Sequence, residues 1–223
     1  HLYGDVITRN ISQNILDWKR ELNLLNIKNE YKNLHRPLFI YGSFLFLIDW
    51  CIIFIAFFIC CISPILTPMM LILAGSKQRA LSNLIHDSSH WNLSRNKRLN
   101  DFVTDLLGGY AMISPVKLYR TTHLLHHRHL GHPTLDPDSV MHQRYEYNDL
   151  KPPYQNWLSN VIYLLFNKES WKDSLFGSWN DLTFKQKLSC CAWWFIFICL
   201  FLFFSAKYAL LFILFWISSR GTG

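Results

Sequence analysis

Residues 38–74 read LFIYGSFLFLIDWCIIFIAFFICCISPILTPMMLILA, and Asp49 is the one charge among them. At about 1.5 Å per residue a helix of this length reaches about 55 Å, close to two crossings of a hydrocarbon core about 30 Å thick. The stretch therefore predicts a helical hairpin that turns somewhere between Ala56 and Pro64. Residues 188–217 form a second such stretch, with only Lys207 charged. Its first limb is expected to end near Ser205. About a dozen apolar residues are then left for the return, fewer than the ~20 that a crossing needs. The expected fold is an all-α integral membrane protein of two transmembrane helical hairpins, the second incomplete. A cytoplasmic helical segment separates them.

The rest of the chain is organised around these two stretches as a single domain, residues 1–223. Residues 1–36 contain no apolar run long enough for a signal peptide. They place Ile11, Ile15, Trp18, Leu22 and Leu25 at helical spacing among Asn, Lys and Glu, the pattern of an amphipathic surface segment. The first hairpin occupies residues 38–75, a polar central region residues 76–187, and the second hairpin residues 188–217. Within the centre, Gly108 and Gly109 read as a helix stop. PTLDPD (133–138) and KPPY (151–154) read as loop. NWLSNVIYLLF (156–166) is apolar but short, which suits an interfacial or re-entrant helix.

A net charge of +7 raises nucleic acid as a partner, but the distribution of charge argues against it. Basic residues gather in residues 1–36 and 77–188 and are absent from the expected first turn. By the positive-inside rule the amino-terminal and central segments then share the cytoplasmic side. The basic balance reflects topology and attraction to a lipid surface, and no basic–aromatic interleave suggests nucleic acid. Cys51, Cys60, Cys61, Cys190, Cys191 and Cys199 all lie in the apolar stretches. None has a C-x-x-C spacing, so buried packing is their expected role. An acid inside a span is a functional candidate by default, although a place near the lumenal end of its span would explain Asp49 equally well.

Seven of the ten histidines fall in two short runs, IHDSSH (85–90) and TTHLLHHRHLGH (121–132). His86 and His90 stand four apart, on one face of a helix that continues from the first hairpin. His123 and His127 repeat that spacing, with His126 beside them. Imidazoles so placed chelate a first-row metal such as iron or zinc. Five of them exceed the three-ligand set of a catalytic zinc, pointing instead to two ions or a six-coordinate one. His129 and His132 read as neighbours, in contact with a loop or hydrogen-bonded behind the metal ligands. Asp87 either orients a ligand or caps a helix. Asp136 and Asp138, flanking Pro137, can orient imidazoles through hydrogen bonds or shape a turn, and the turn role is favoured. His1, His35 and His142 read as ordinary solvated side chains.

HDSSHWNLSRNKRLND (86–101) followed by YRTTHLLHHRHLGHPTLDPD (119–138) resembles the first two histidine boxes of the membrane fatty acid desaturase superfamily. The likeness includes the box spacing, the RNKRLND after the first box, the Arg-x-x-His lead-in and the DPD after the second. It implies two iron ions held by histidines at the cytosolic ends of a four-helix transmembrane cone. On this sequence His86, His90, His123, His126 and His127 would be the iron ligands. Molecular oxygen would be the co-substrate, and two electrons would come from a donor such as ferredoxin or cytochrome b5. A fatty acyl chain in the membrane would gain a double bond; relatives form an alcohol or ketone instead. The resemblance further implies a multi-pass protein of a bacterial inner membrane or endoplasmic reticulum, with its boxes on the cytoplasmic side.

Members of that superfamily complete the centre with a third box after the second hairpin, yet no histidine follows His142. The chain is therefore expected to continue, and these 223 residues alone to bind iron incompletely and lack activity. A carotenoid ketolase or hydroxylase is the nearest alternative, since those relatives share both boxes. A histidine-rich metal carrier is more remote, because Asp49 and Lys207 are the only charges along the two long apolar stretches, where an ion path would need more.

Overall fold

A computed structural model describes residues 39–144, 166–176 and 178–221, together with Arg20, Glu21, Asn23 and Leu24. The long helices belong to the second of two units, Leu38–Gly223. The amphipathic segment expected over residues 1–36 and the short helix expected over 156–166 lie almost wholly outside the described residues.

All regular structure among the described residues is helical. Helix α1 (Phe39–Ile62) is 24 residues long, about 36 Å at the usual rise. Pro64 then opens a single 3-10 turn, Pro64–Leu66, and α2 (Thr67–Ser89) runs back beside α1. The turn lies at the Pro64 end of the expected window. Helix α3 (Lys97–Thr104) passes directly into a π-helical turn, Asp105–Gly109. Helix α4 (Val116–His129) leads to α5 (Pro137–Arg144). Helix α6 (Lys168–Phe176) precedes α7 (Phe184–Phe204) and α8 (Ala206–Arg220). Between α7 and α8 the chain reverses at Ser205, whose extended backbone (φ −172°, ψ 137°) interrupts the helix.

Burial explains the packing. Phe46, Trp50, Ile53 and Phe57 are buried at spacings of three and four on α1, and Met70, Ala74, Gln78, Leu81 and Ile85 repeat the pattern on α2. On α8 the stripe is Ala209, Phe212, Trp216 and Ser219. These three faces share one core, dominated by aromatic rings. Trp50 stacks on Trp216 with centroids 5.2 Å apart, and Phe212 meets Phe57 and Phe201 at 5.2 and 4.8 Å. Gln78 reaches across to donate to the Ser219 hydroxyl (2.6 Å) and the Trp216 carbonyl (3.1 Å).

The outward faces are as apolar as the core. Ile40, Phe44, Ile55, Phe58 and Ile62 are exposed on α1, and Phe195, Leu200, Phe203 and Phe204 on α7. Water would oppose so large an apolar surface, whereas lipid tails would not. Among the described residues α1 and α7 are the two helices long and apolar enough to cross a bilayer. Helix α2 has the length, but its apolar part ends at Gly75, before Lys77 and Arg79.

Asp49 corrects one of the two alternatives that its sequence position left open. It sits near the middle of α1, ten residues beyond Phe39 and thirteen short of Ile62, not near the helix end that leads into the 3-10 turn. Its carboxylate pairs with the Lys77 ammonium of α2 at 3.1 Å. PTLDPD is another correction. Only its first part is turn; Pro137 opens α5, a position where proline's missing N–H costs nothing. The Asp138 N–H is then capped by the Asp136 carboxylate (2.9 Å).

The Gly108–Gly109 stop works by close approach. A side chain at Gly108 would strike Phe46 and Ile85, so the glycine lets the π turn press against α1 and α2. A left-handed residue, Ile113 (φ 55°), follows four residues after the π turn. Two indoles hold the turn in place, Trp50 donating to the Leu107 carbonyl (2.7 Å) and Trp193 to that of Leu106 (2.8 Å).

Asp105, at the start of that turn, accepts the Val116 N–H at 2.6 Å and so caps α4. Burial raises its carboxyl to about 6, against the opposing effect of the Val116 N–H. A carboxyl raised in the folded state binds its proton more tightly there than in the unfolded chain. Its contribution is therefore fully present below about pH 4 and is lost as pH rises through about 6. Relative to wild type, Asp105→Asn should gain about 2 to 3 kcal/mol of stability between pH 4 and pH 7. Paired unfolding curves across that range measure it, and parallel curves would refute it.

Candidate metal centre

The two histidine runs lie on helices that pack together, α2 and α4. His86 is in the last turn of α2 and His90 is its C-cap residue. His123, His126 and His127 occupy the last two turns of α4. One ring nitrogen from each of His86, His90, His123 and His127 falls within a common 4.8 Å. At the centre is His123 Nε2, 3.0 Å from His90 Nε2 and 2.9 Å from His127 Nε2. The His86 ring lies edge-on to His123 at 4.4 Å, and Tyr119, one turn earlier on α4, stacks on His123 at 5.5 Å.

These contacts favour a cation. An imidazole nitrogen carries either one proton or one lone pair, so a single nitrogen facing two others cannot form two good hydrogen bonds. Two nitrogens each about 2.1 Å from one ion and at right angles stand about 3.0 Å apart, the spacing found here. Burial, followed by the crowd of neighbouring imidazoles, pushes His123 down to about 4. The same causes lower His90. Both rings are thus neutral near pH 7, the form that binds a metal.

His126 faces elsewhere. Its Nδ1–H donates to Asp136 at 2.8 Å, with Asp138 at 3.3 Å, and these three residues form a second group of donor atoms. Its ring centroid is 6.1 Å from that of His123. The Asp136 carboxylate is almost wholly buried and also accepts the N–H groups of Gly131 (2.8 Å) and Asp138. Burial alone would raise its carboxyl, but His126 and these N–H groups outweigh it and hold the group well below the usual range. In return Asp136 raises His126. Asp136 therefore combines the two roles that its sequence position left open, shaping a turn and gripping a histidine.

The remaining candidates are placed more peripherally. Asp87 is exposed and accepts from His86 Nδ1 at 3.0 Å. His132 is exposed, and its Nδ1 accepts the N–H groups of Thr134 and Leu135, so it shapes the loop. His129 closes α4, half-buried. Sequence reasoning did not single out Asn100, Asp101 and Arg120, although they stand inside the very segments that carry the resemblance. Their signal was two polar motifs, RNKRLND and Arg-x-x-His, lying beside the histidines.

Comparison with known proteins bears on this geometry. A family model described as fatty acid desaturase matches residues 62–220. The chain belongs to the fatty acid desaturase family. The dihydrorhizobitoxine desaturase of Bradyrhizobium elkanii is similar over 104 residues at 33% identity, covering 46% of this chain and 29% of that protein. No solved structure matches. The chain is thus a member of a membrane desaturase superfamily. Its described residues are helical apart from turns, and two of their helices are long and apolar enough to span a bilayer.

Proposed function

We propose that the protein is an oxygen-dependent di-iron oxidoreductase that introduces a double bond into a fatty acyl chain. The observation that carries this reading is the convergence of His86, His90, His123 and His127 in a chain of this family. These four would hold iron, together with His126, whose Nε2 is left available by the Nδ1 bond to Asp136. Bound iron would supply oxygen activation, chemistry that amino-acid side chains lack. The overall change is balanced as one O2, two electrons and two protons, with two hydrogens removed from adjacent CH2 groups, giving one C=C bond and two waters.

The protein's own groups prepare the site. His90 and His123 are kept neutral, Asp136 and Asp87 fix ring orientation, and Tyr119 closes one side of His123. The electrons would come from a donor such as ferredoxin or cytochrome b5, with the histidines on the cytoplasmic side of a multi-pass protein. The relative's name gives dihydrorhizobitoxine as the compound it desaturates, so the family points more narrowly to the reaction than to the substrate. The exposed apolar faces of α1 and α7 favour a lipid-dissolved acyl chain here.

Purified full-length protein should carry about two iron ions per chain. Its expression in a host rich in saturated acyl chains should yield new monounsaturated lipids. Zinc alone, or no metal, would refute the di-iron reading, and oxidised carotenoids in place of unsaturated lipids would redirect the substrate. Asp136→Asn, which keeps one of the two acceptor oxygens used by Gly131 and Asp138 and loses the charge on His126, should weaken iron binding about 10- to 100-fold. Iron titration checks this, and an unchanged affinity would refute it.

A further inference from the structure

We infer that Arg120 is a positioning residue that sets the two histidine helices in register, with Asp101 as its counter-charge. The inference rests on the metal-binding reading above. Among the described residues the Arg120 guanidinium hydrogen-bonds to Ser88, Ser89 and Asp101 and not to a histidine ring, yet its contacts fall beside the histidines. Its Nε donates to the Ser89 carbonyl at 2.6 Å and its Nη2 to the Ser88 carbonyl at 3.3 Å. Those carbonyls end α2 between His86 and His90. The remaining fork engages Asp101 with both oxygens, Nη2 to Oδ1 at 2.6 Å and Nη1 to Oδ2 at 3.1 Å. Arg120 itself lies one helical turn before His123, so its contacts tie the end of one histidine run to the start of the other across 31 and 32 residues.

The surroundings are built to keep that grip. Asn100 donates to the same Ser88 carbonyl (2.9 Å) and accepts the N–H groups of Leu93 and Ser94. Trp91, the residue after His90, has a left-handed φ of 59°, a conformation rare for an aromatic residue. The Arg120 guanidinium covers its ring at 4.3 Å. The side chains of Arg120 and Asp101 are only 11% and 13% exposed, so water does not compete strongly for the fork. A planar guanidinium can meet two carbonyls and a carboxylate in one fixed arrangement; an ammonium cannot.

Asp101 has a second consequence. A bare guanidinium this close to the cluster would repel a metal ion, and the carboxylate cancels it. The pairing holds the Asp101 carboxyl below its ordinary value even though burial opposes this. Electrostatics and positioning consequently predict opposite signs for Arg120→Ala. Removing a positive charge alone would strengthen metal binding, whereas losing the register would weaken it.

The test is a Co2+ titration of chelator-stripped full-length protein, read by visible absorption, beside iron content as purified. Arg120→Ala is expected to bind Co2+ about 10-fold or more weakly while its metal-free unfolding transition stays cooperative. Arg120→Lys, which keeps the charge but not the fork, should also bind more weakly. It carries the test alone if the alanine variant does not fold. Asp101→Asn should weaken binding too, by leaving Arg120 uncancelled. A folded Arg120 variant that binds Co2+ as well as wild type, or better, overturns the positioning role and leaves the metal site standing. Wild-type protein that binds neither metal overturns both.

Discussion

Replacing His123 with alanine should abolish turnover and strip the protein of most of its iron. Among the described residues His123 Nε2 lies within about 3 Å of a ring nitrogen of both His90 and His127, so its loss removes the donor at the centre of the cluster. Changes to groups that only orient a ligand typically cost 10- to 100-fold in affinity or activity. Losing the central ligand should exceed that, with at least ~100-fold weaker iron binding. The contrast is His132→Ala. That residue is exposed and caps a turn, so iron content should be retained and stability should shift by no more than about 0.5 kcal/mol. Iron analysis and lipid profiling of the two variants side by side would decide it. Equal iron in both would remove His123 from the centre.

The second large effect lies in α1. Asp49→Ala should destabilise the protein by about 3 kcal/mol, because it leaves the Lys77 ammonium facing an apolar helix without its carboxylate. Lys77 is 28% exposed on its side chain and Asp49 only 9%, so the lysine retains some access to its surroundings and the cost falls at the low end of the range for buried pairs. Removing both charges should cost far less. Asp49→Leu with Lys77→Leu is expected to recover most of the lost stability, since two apolar side chains suit this environment better than an ion pair. Unfolding of Asp49→Leu, Lys77→Leu and the double variant, in the same detergent, gives the coupling directly. If the double variant is as unstable as the sum of the singles, the pair does not act as a unit.

These two sites show what could and could not be read from the chain. The apolar runs predicted α1 and α7 because length and uniform hydrophobicity are local properties. Pro64 marked the turn for the same reason. The chelating spacings of His86 with His90 and of His123 with His127 are helical geometry, legible without any tertiary information. Partners were not legible. Nothing in the sequence says that Asp49 meets Lys77, 28 residues away, or that Arg120 reaches Ser88 and Ser89. Such contacts depend on how helices pack. His126 is the sharpest case. Spacing groups it with His123 and His127, but the chain reverses at Gly131 (φ +75°) and brings Asp136 back against it. PTLDPD misled in a related way, because its proline could as easily begin a helix as stop one.

The ends of the histidine helices carry one more consequence. His86 and His90 close α2, while His126 and His127 lie in the last turn of α4, so both helices present their carboxyl-terminal ends near the cluster. Aligned peptide dipoles give such an end about half a negative charge, favouring a nearby cation by about 0.3 to 1 kcal/mol per helix. Neutral imidazoles such as His90 and His123 bring no formal charge with which to attract a metal. Here the backbone itself provides a negative field, so the direction of the two helices, as well as their side chains, would favour a cation.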